Sequence, residues 1–214
     1  MLRTHKCNEL NLSNVWQEIT LSGWVCNRRD HGGIIFIDLR DRYGLTQVVF
    51  DPEFDKTAWA EADTFRSEYV IQVTWTVRAR PEGQANSNLA TWEIEVIITS
   101  TIILSKSKTP PFELDTHTTE ANEEIRYKHR YLDLRRKKVL DNVIFRSKLL
   151  NYTRNWFSGN DFLEVQTPIF TVSSPEGARD FVIPSRLHPG KFYALPQAPQ
   201  QYKQLLMVGW IDKY

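Results

Sequence analysis

The chain has 214 residues, 41% of them hydrophobic, and 27 Lys and Arg against 26 Asp and Glu, for a formal charge of +1. That is apolar material enough for one large or two small domains, and too balanced a charge for a protein that binds nucleic acid through overall basicity. Cys7 and Cys26 are the only cysteines, which excludes a disulfide-stapled secreted fold. There is no leader-like apolar segment and no run of about eighteen apolar residues, so a cytoplasmic protein without a membrane partner is expected. No P-loop, H-E-x-x-H, G-x-G-x-x-G or internal repeat is present, which removes several common nucleotide and metal sites.

Residues 18–100 read as short β-branched strands separated by turns. Ile19, Leu21, Gly23 and Val25 alternate in the first run, Ile35, Ile37 and Leu39 in the second, and Leu45 and Val49 begin and end the third, each run offering one inward face. Residues 55–68 read as a helix, with Ala58, Ala62 and Phe65 at spacings of four and three. A fourth run, 69–79, and a fifth, 92–98, flank a polar loop containing Pro81 and Gly83. Strands, helix, strands is the order of a five-stranded OB-fold barrel, assigned here to residues 1–104.

Ser-Lys-Ser-Lys-Thr-Pro-Pro then marks a boundary, because adjacent prolines enforce extended backbone, and residues 105–135 are taken as linker and hinge. From 136 the period becomes helical: Val139, Leu140, Val143, Ile144, Leu150 and Phe157 form one broad stripe, ended by Ser158-Gly159-Asn160. Residues 162–170 are expected to form a strand, with Pro168 at its edge or end. The fold class is therefore α+β, with 136–214 as a second domain.

Phe36 shares a strand face with Asp38 and Arg40, opposite the aliphatic set, so an aromatic is expected on the outside of the barrel. With Gln47, Glu95 and Arg28-Arg29 nearby, this is the kit for stacking single-stranded RNA and reading base edges. A solvated sheet face with Phe36 under a loop fits the same pattern. Gln200 and Lys203 project from one face of a helix opened by Pro199. They suit a small anion, or equally a solvated surface. The basic run 126–138, with Asp133 its one acid, fits either RNA phosphates or a solvated hinge helix. No catalytic grouping or metal-ligand cluster stands out.

Gly23-Trp24-Val25, Arg28 to Gly33, Phe36 to Asp41, Arg126 to Arg136, Pro175 to Asp180, Pro184-Ser185-Arg186, Gly190 to Gln197 and Lys203 to Met207 together resemble bacterial aspartyl-tRNA synthetases along essentially the whole chain. The resemblance implies an OB-fold that binds the anticodon of tRNA for aspartate, with Phe36 stacking on a base and Arg29, Gln47, Arg80 and Glu95 reading it. It implies that 136–214 begin a class II catalytic domain built on an antiparallel sheet, with the long helix and Pro168 at a homodimer interface. Glu176, Gln200 and Lys203 match positions that hold aspartate, the lysine by a charge-assisted contact to its side-chain carboxylate. His31 and Gly83 match positions associated with accepting tRNA for asparagine as well. ATP and Mg²⁺ are the implied cofactors, held by segments expected beyond Tyr214, so the chain alone is expected to be inactive. It would then act as an anticodon-binding module or as the dimerisation partner of a full-length synthetase.

The sequence departs from that family at Trp16, Trp75 and Trp92, where glycine is usual. Trp75 falls on the apolar face of the fourth run, where overpacking costs about 1–3 kcal/mol. At Ala198 the family has serine, and loss of that helix cap is expected to cost about 0.5–2 kcal/mol.

Overall fold

A computed structural model describes residues 2–80, 91, 93–114, 121–173 and 179–214. The chain forms two compact units, Met1–Leu140 and Asp141–Tyr214.

In the first unit, β1 (Glu18–His31), β2 (Ile34–Asp41), β3 (Gly44–Phe50), β4 (Val70–Ala79) and β5 (Ile94–Ser105) close into a barrel of order β1-β2-β3-β5-β4. Pairings are antiparallel except β3 with β5, and closure removes the free edges that an open sheet would expose. The β1–β2 hairpin turns on Gly32 and Gly33, both at positive φ (64° and 88°), the backbone a two-residue hairpin turn requires. Ile19, Leu21, Val25, Ile35, Ile37, Leu39, Ile71, Val73, Trp75 and Val77 fill the interior as their alternation predicts.

Helix α1 (Lys56–Asp63) is capped by Asp55, whose carboxylate accepts from the Thr57 and Ala58 amides at 2.8 Å. It buries Ala58 and Ala62, and just past its end Phe65 meets Phe50 edge-on at 5.9 Å. The helix is shorter than expected because Thr64 ends it.

The third strand corrects its expected phase. Thr46, Val48 and Phe50 face the interior, whereas Leu45 is half-buried and Val49, though buried, lies on the opposite face of the strand, paired with Phe36 of β2 and Ile97 of β5. Buried Thr46 escaped the pattern because its polar atom is satisfied: its hydroxyl accepts from the Asn8 amide at 3.0 Å.

The basic run is packed only in part: Arg126 and Arg135 are half-buried and Arg136 is buried, whereas Lys128, Arg130, Lys137 and Lys138 stay exposed. It forms α2 (Glu123–Lys128), α3 (Arg130–Asp133) and the start of α4 (Lys137–Gly159). Asp133 is fully buried and receives Arg126, Arg130 and Arg136. Burial alone would raise its pKa. The hydrogen bonds from Arg126 and Arg136 and the charges of Arg126 and Arg130 outweigh it and hold the carboxyl below its ordinary range. Arg135 reaches buried Glu68, which also pairs with Arg40 at 2.6 Å, and its guanidinium lies 5.1 Å over the Trp24 ring. This segment therefore packs against the barrel through paired charges.

Helix α4, which runs on into the second unit, ends at Gly159 as expected but buries none of its residues. The strand expected over 162–170 does not form: this stretch has no ladder partner among the described residues, and exposed Pro168 contributes no N–H to one. Instead, the Leu163 amide donates to Lys213, and Thr171 bridges Ala194. Strands β6 (Val182–Pro184) and β7 (Phe192–Ala194) pair antiparallel, and α5 (Gln200–Val208) follows. Its cap is Pro199 rather than Ala198, and it has no side-chain cap bond.

Candidate nucleic-acid interface

The outer face of β1, β2 and β3 brings Arg29, Phe36 and Gln47 together. Alternation along β2 turns Phe36 outward, half-buried, while Ile35 and Ile37 point inward. Register then sets its neighbours: Arg29 lies opposite on β1 and Val49 opposite on β3. One step along the same face, Asp38 stands opposite Gln47.

Arg29 and Asp38 form a two-bond fork, with both guanidinium nitrogens 2.7 Å from the two carboxylate oxygens. The Asp38 side chain is nearly buried while the arginine is half exposed. The carboxylate thus fixes the plane of a guanidinium that still faces solvent, beside an aromatic face. Arg80 donates to the side-chain Oε1 of Gln47 at 3.3 Å and to the backbone carbonyl of Ile94 at 2.8 Å. The Gln47 amide is thereby oriented. Glu95 occupies the β5 position opposite Arg78. Arg28, read with Arg29 as one pair, departs from this face: it bonds the Ala62 carbonyl and Asp63, fastening α1 to β1.

Asp38 is the residue that sequence reasoning left without a role. Its signal was present, since it follows Phe36 by two and so shares its face. Asn27, its β1 partner, adds a 3.4 Å contact. His31 is exposed at the end of β1, opposite Ile34. Gly83 lies outside the described residues.

The aspartate segment is brought together only in part. Gln200 and Lys203 project, both exposed, from the first turn of α5, and Glu176 lies outside the described residues. No three His, Cys, Asp or Glu side chains gather among the described residues to hold a metal ion. Cys7 is no candidate nucleophile: burial and the neighbouring Asp41 push its thiol up to about 12. No helix among the described residues is long and apolar enough to cross a membrane.

Residues 19–104 match the OB-fold nucleic acid binding domain, and residues 122–214 match the class II tRNA synthetases (D, K and N). The aspartate–tRNA(Asp/Asn) ligase of Protochlamydia amoebophila is 53% identical over 99% of this chain, and that of Salinibacter ruber is 52% identical over 99%. The chain belongs to the aspartate–tRNA ligase family of class II synthetases. It spans about a third of the length of these relatives, 35% and 34% respectively. The same fold occurs in asparaginyl-tRNA synthetase of Pyrococcus horikoshii, in complex with asparaginyl-adenylate. There the TM-score is 0.82 at 22% identity, over 98% of this chain and 46% of that one. An aspartyl-tRNA synthetase from Entamoeba histolytica aligns with a TM-score of 0.76 at 18% identity, over 98% and 44%.

Proposed function

We propose that the barrel of this synthetase-family chain binds the anticodon of tRNA for aspartate, and that residues 136–214 take part in holding aspartate for its ligation. The observation that carries the first half is the outward Phe36 opposite an Asp38-fixed Arg29, with an Arg80-oriented Gln47 one step along the same face. Base stacking on such a ring contributes about 1–3 kcal/mol per base, and oriented amide and guanidinium groups read base edges. Residues 1–104 are the reading domain, 105–135 the hinge and 136–214 the catalytic part, with Glu95 joining the reading face.

Gln200 and Lys203, with Glu176, hold the amino acid; the ammonium of Lys203 favours a carboxylate over an amide side chain. Enzymes of this class use ATP and Mg²⁺. No group of three His, Cys, Asp or Glu side chains gathers among the described residues, and no adenylation step is assigned to them. His31 and Gly83 extend the reading to tRNA for asparagine, a choice the Asp/Asn designation of the relatives supports. The exposed apolar side chains of α4, among them Phe145 and Leu149, and the Pro168 segment pair with a second copy of the chain.

Filter binding of tRNA across a salt series, beside aspartate-dependent pyrophosphate exchange, tests the reading. Anticodon-dependent binding supports it, and equal affinity for tRNAs of unrelated anticodon sinks it. Binding without exchange assigns the chain to the module role.

A further inference from the structure

The seven tryptophans divide by how their surroundings receive them. Trp24 lies under the Arg135 guanidinium, Trp59 donates its indole N–H to the Gly33 carbonyl at 2.7 Å, and Trp156 meets Phe157 edge-on at 5.1 Å. Each of these sites uses the ring.

Trp16, Trp75 and Trp210 are different. Trp16 has φ 70° with 77% of its surface exposed, and Trp210 has φ 68° with 95% exposed. A bulky residue at positive φ is an outlier, and tryptophan lacks the short polar side chain that lets Asn and Asp visit this region. Trp210 also follows the C-cap of α5 inside a complete Schellman pair: its own amide donates to Met207 at 3.2 Å and that of Ile211 to Leu206 at 3.0 Å. That position is where helices place glycine. Trp75 is strained in another way. It is 1% exposed on the inner barrel wall, its indole N–H has no partner, and the β4–β5 register slips between Thr74 and Trp75. Buried indole N–H groups ordinarily find an acceptor.

Two positive φ values with unsupported rings and one orphaned buried donor share a single remedy. Glycine is free at positive φ, carries no side-chain donor and needs no interior volume. Substitution by chance would not sort tryptophans so cleanly into sites that use the ring and sites suited to glycine. We infer that the gene specifies glycine at positions 16, 75 and 210 through UGA, a codon read as glycine under one variant genetic code and as tryptophan under others, whereas UGG reads as tryptophan in all of them. Position 92, where the family resemblance also places glycine, belongs with these three.

The test is to read the seven codons from the gene and to weigh the corresponding peptides of the protein isolated from its own cells. UGA at 16, 75, 92 and 210 with glycine-mass peptides, and UGG at 24, 59 and 156 with tryptophan-mass peptides, is the expected result. UGG at 16, 75 and 210, or tryptophan mass in the native peptides, overturns the inference. Recombinant chains check its physical half. The triple variant Trp16→Gly, Trp75→Gly, Trp210→Gly should melt higher than the parent, and Trp24→Gly, Trp59→Gly, Trp156→Gly lower. A lower melting point for the first triple removes the structural basis of the inference.

Discussion

The two compact units treat similar side chains in opposite ways. In the barrel unit Leu21, Ile37 and Val73 are wholly buried, and even the charges of Glu68 and Asp133 are enclosed by arginines. In the unit from Asp141, Phe145, Leu149, Tyr152 and Trp156 stand half exposed or more, and α4 buries nothing. The first unit encloses a core of its own, whereas the second leaves most of its large apolar side chains exposed, a surface of the kind that marks an interaction face. Stability measured on the chain should therefore report mainly on the barrel.

The largest effect expected under this contrast comes from Asp133. Replacing Asp133 with Ala leaves Arg126, Arg130 and Arg136 without their shared carboxylate; breaking a buried pair in this way costs about 3–5 kcal/mol. Urea unfolding of the variant should show it as a lower midpoint. The same group fixes a pH dependence. Its folded pKa lies below the ordinary 3.8, so the unfolded state binds the proton more readily. Its contribution is full above that range and is lost as pH falls through the folded value. A chain carrying Asp133→Asn should lose less stability on acidification below about pH 4 than the parent does.

A matched pair of leucines breaks or sharpens the contrast directly. Leu21 is wholly buried, and its change to Ala should cost about 2–5 kcal/mol. Leu149, half exposed on α4, should cost under about 0.5 kcal/mol when changed likewise, while weakening self-association in sedimentation. Equal losses for the two would show that the second unit is closed on its own.

How far these features are legible in sequence follows the same division. The barrel strands announce themselves because alternation and turn glycines are local properties, as at Ile35, Ile37 and Leu39 beside Gly32-Gly33. The phase of the third strand is hidden in sequence because one buried residue, Thr46, is polar, and its partner Asn8 is 38 positions away. The arginine network was hidden for that reason too: Arg135 and Glu68 meet across 67 residues. In the second unit, 162–170 has a strand's composition, but a strand exists only with a ladder partner, and Pro168 contributes no donor. At the candidate site the aromatic and its amide were readable from their face, while the role of Asp38 required the cross-strand register.

On the barrel's outer face, Phe36→Ala should leave folding nearly unchanged, because the ring is outside the core cluster, and weaken tRNA binding by about 1–3 kcal/mol, near tenfold for each 1.4. A loss of melting temperature with unaltered tRNA affinity would assign the ring to packing.

The smallest expected effect belongs to Arg29, and it separates reading from simple charge attraction. Its pair with Asp38 is half exposed on the arginine side, so a double-mutant cycle with Asp38 should give a coupling in stability of only about 0.2–1 kcal/mol. If Arg29 contacts a base edge, Arg29→Lys should lower affinity for the cognate anticodon while leaving the salt dependence of binding unchanged, because lysine keeps the charge but not the fixed fork. If it serves only as a cation near phosphate, Arg29→Lys should bind as the parent does, and Arg29→Ala should reduce the salt slope by about one across all tRNAs. The fork to Asp38 favours the first outcome, since a carboxylate that fixes a guanidinium plane gains nothing for a diffuse phosphate attraction but aligns the donors that a flat base edge needs.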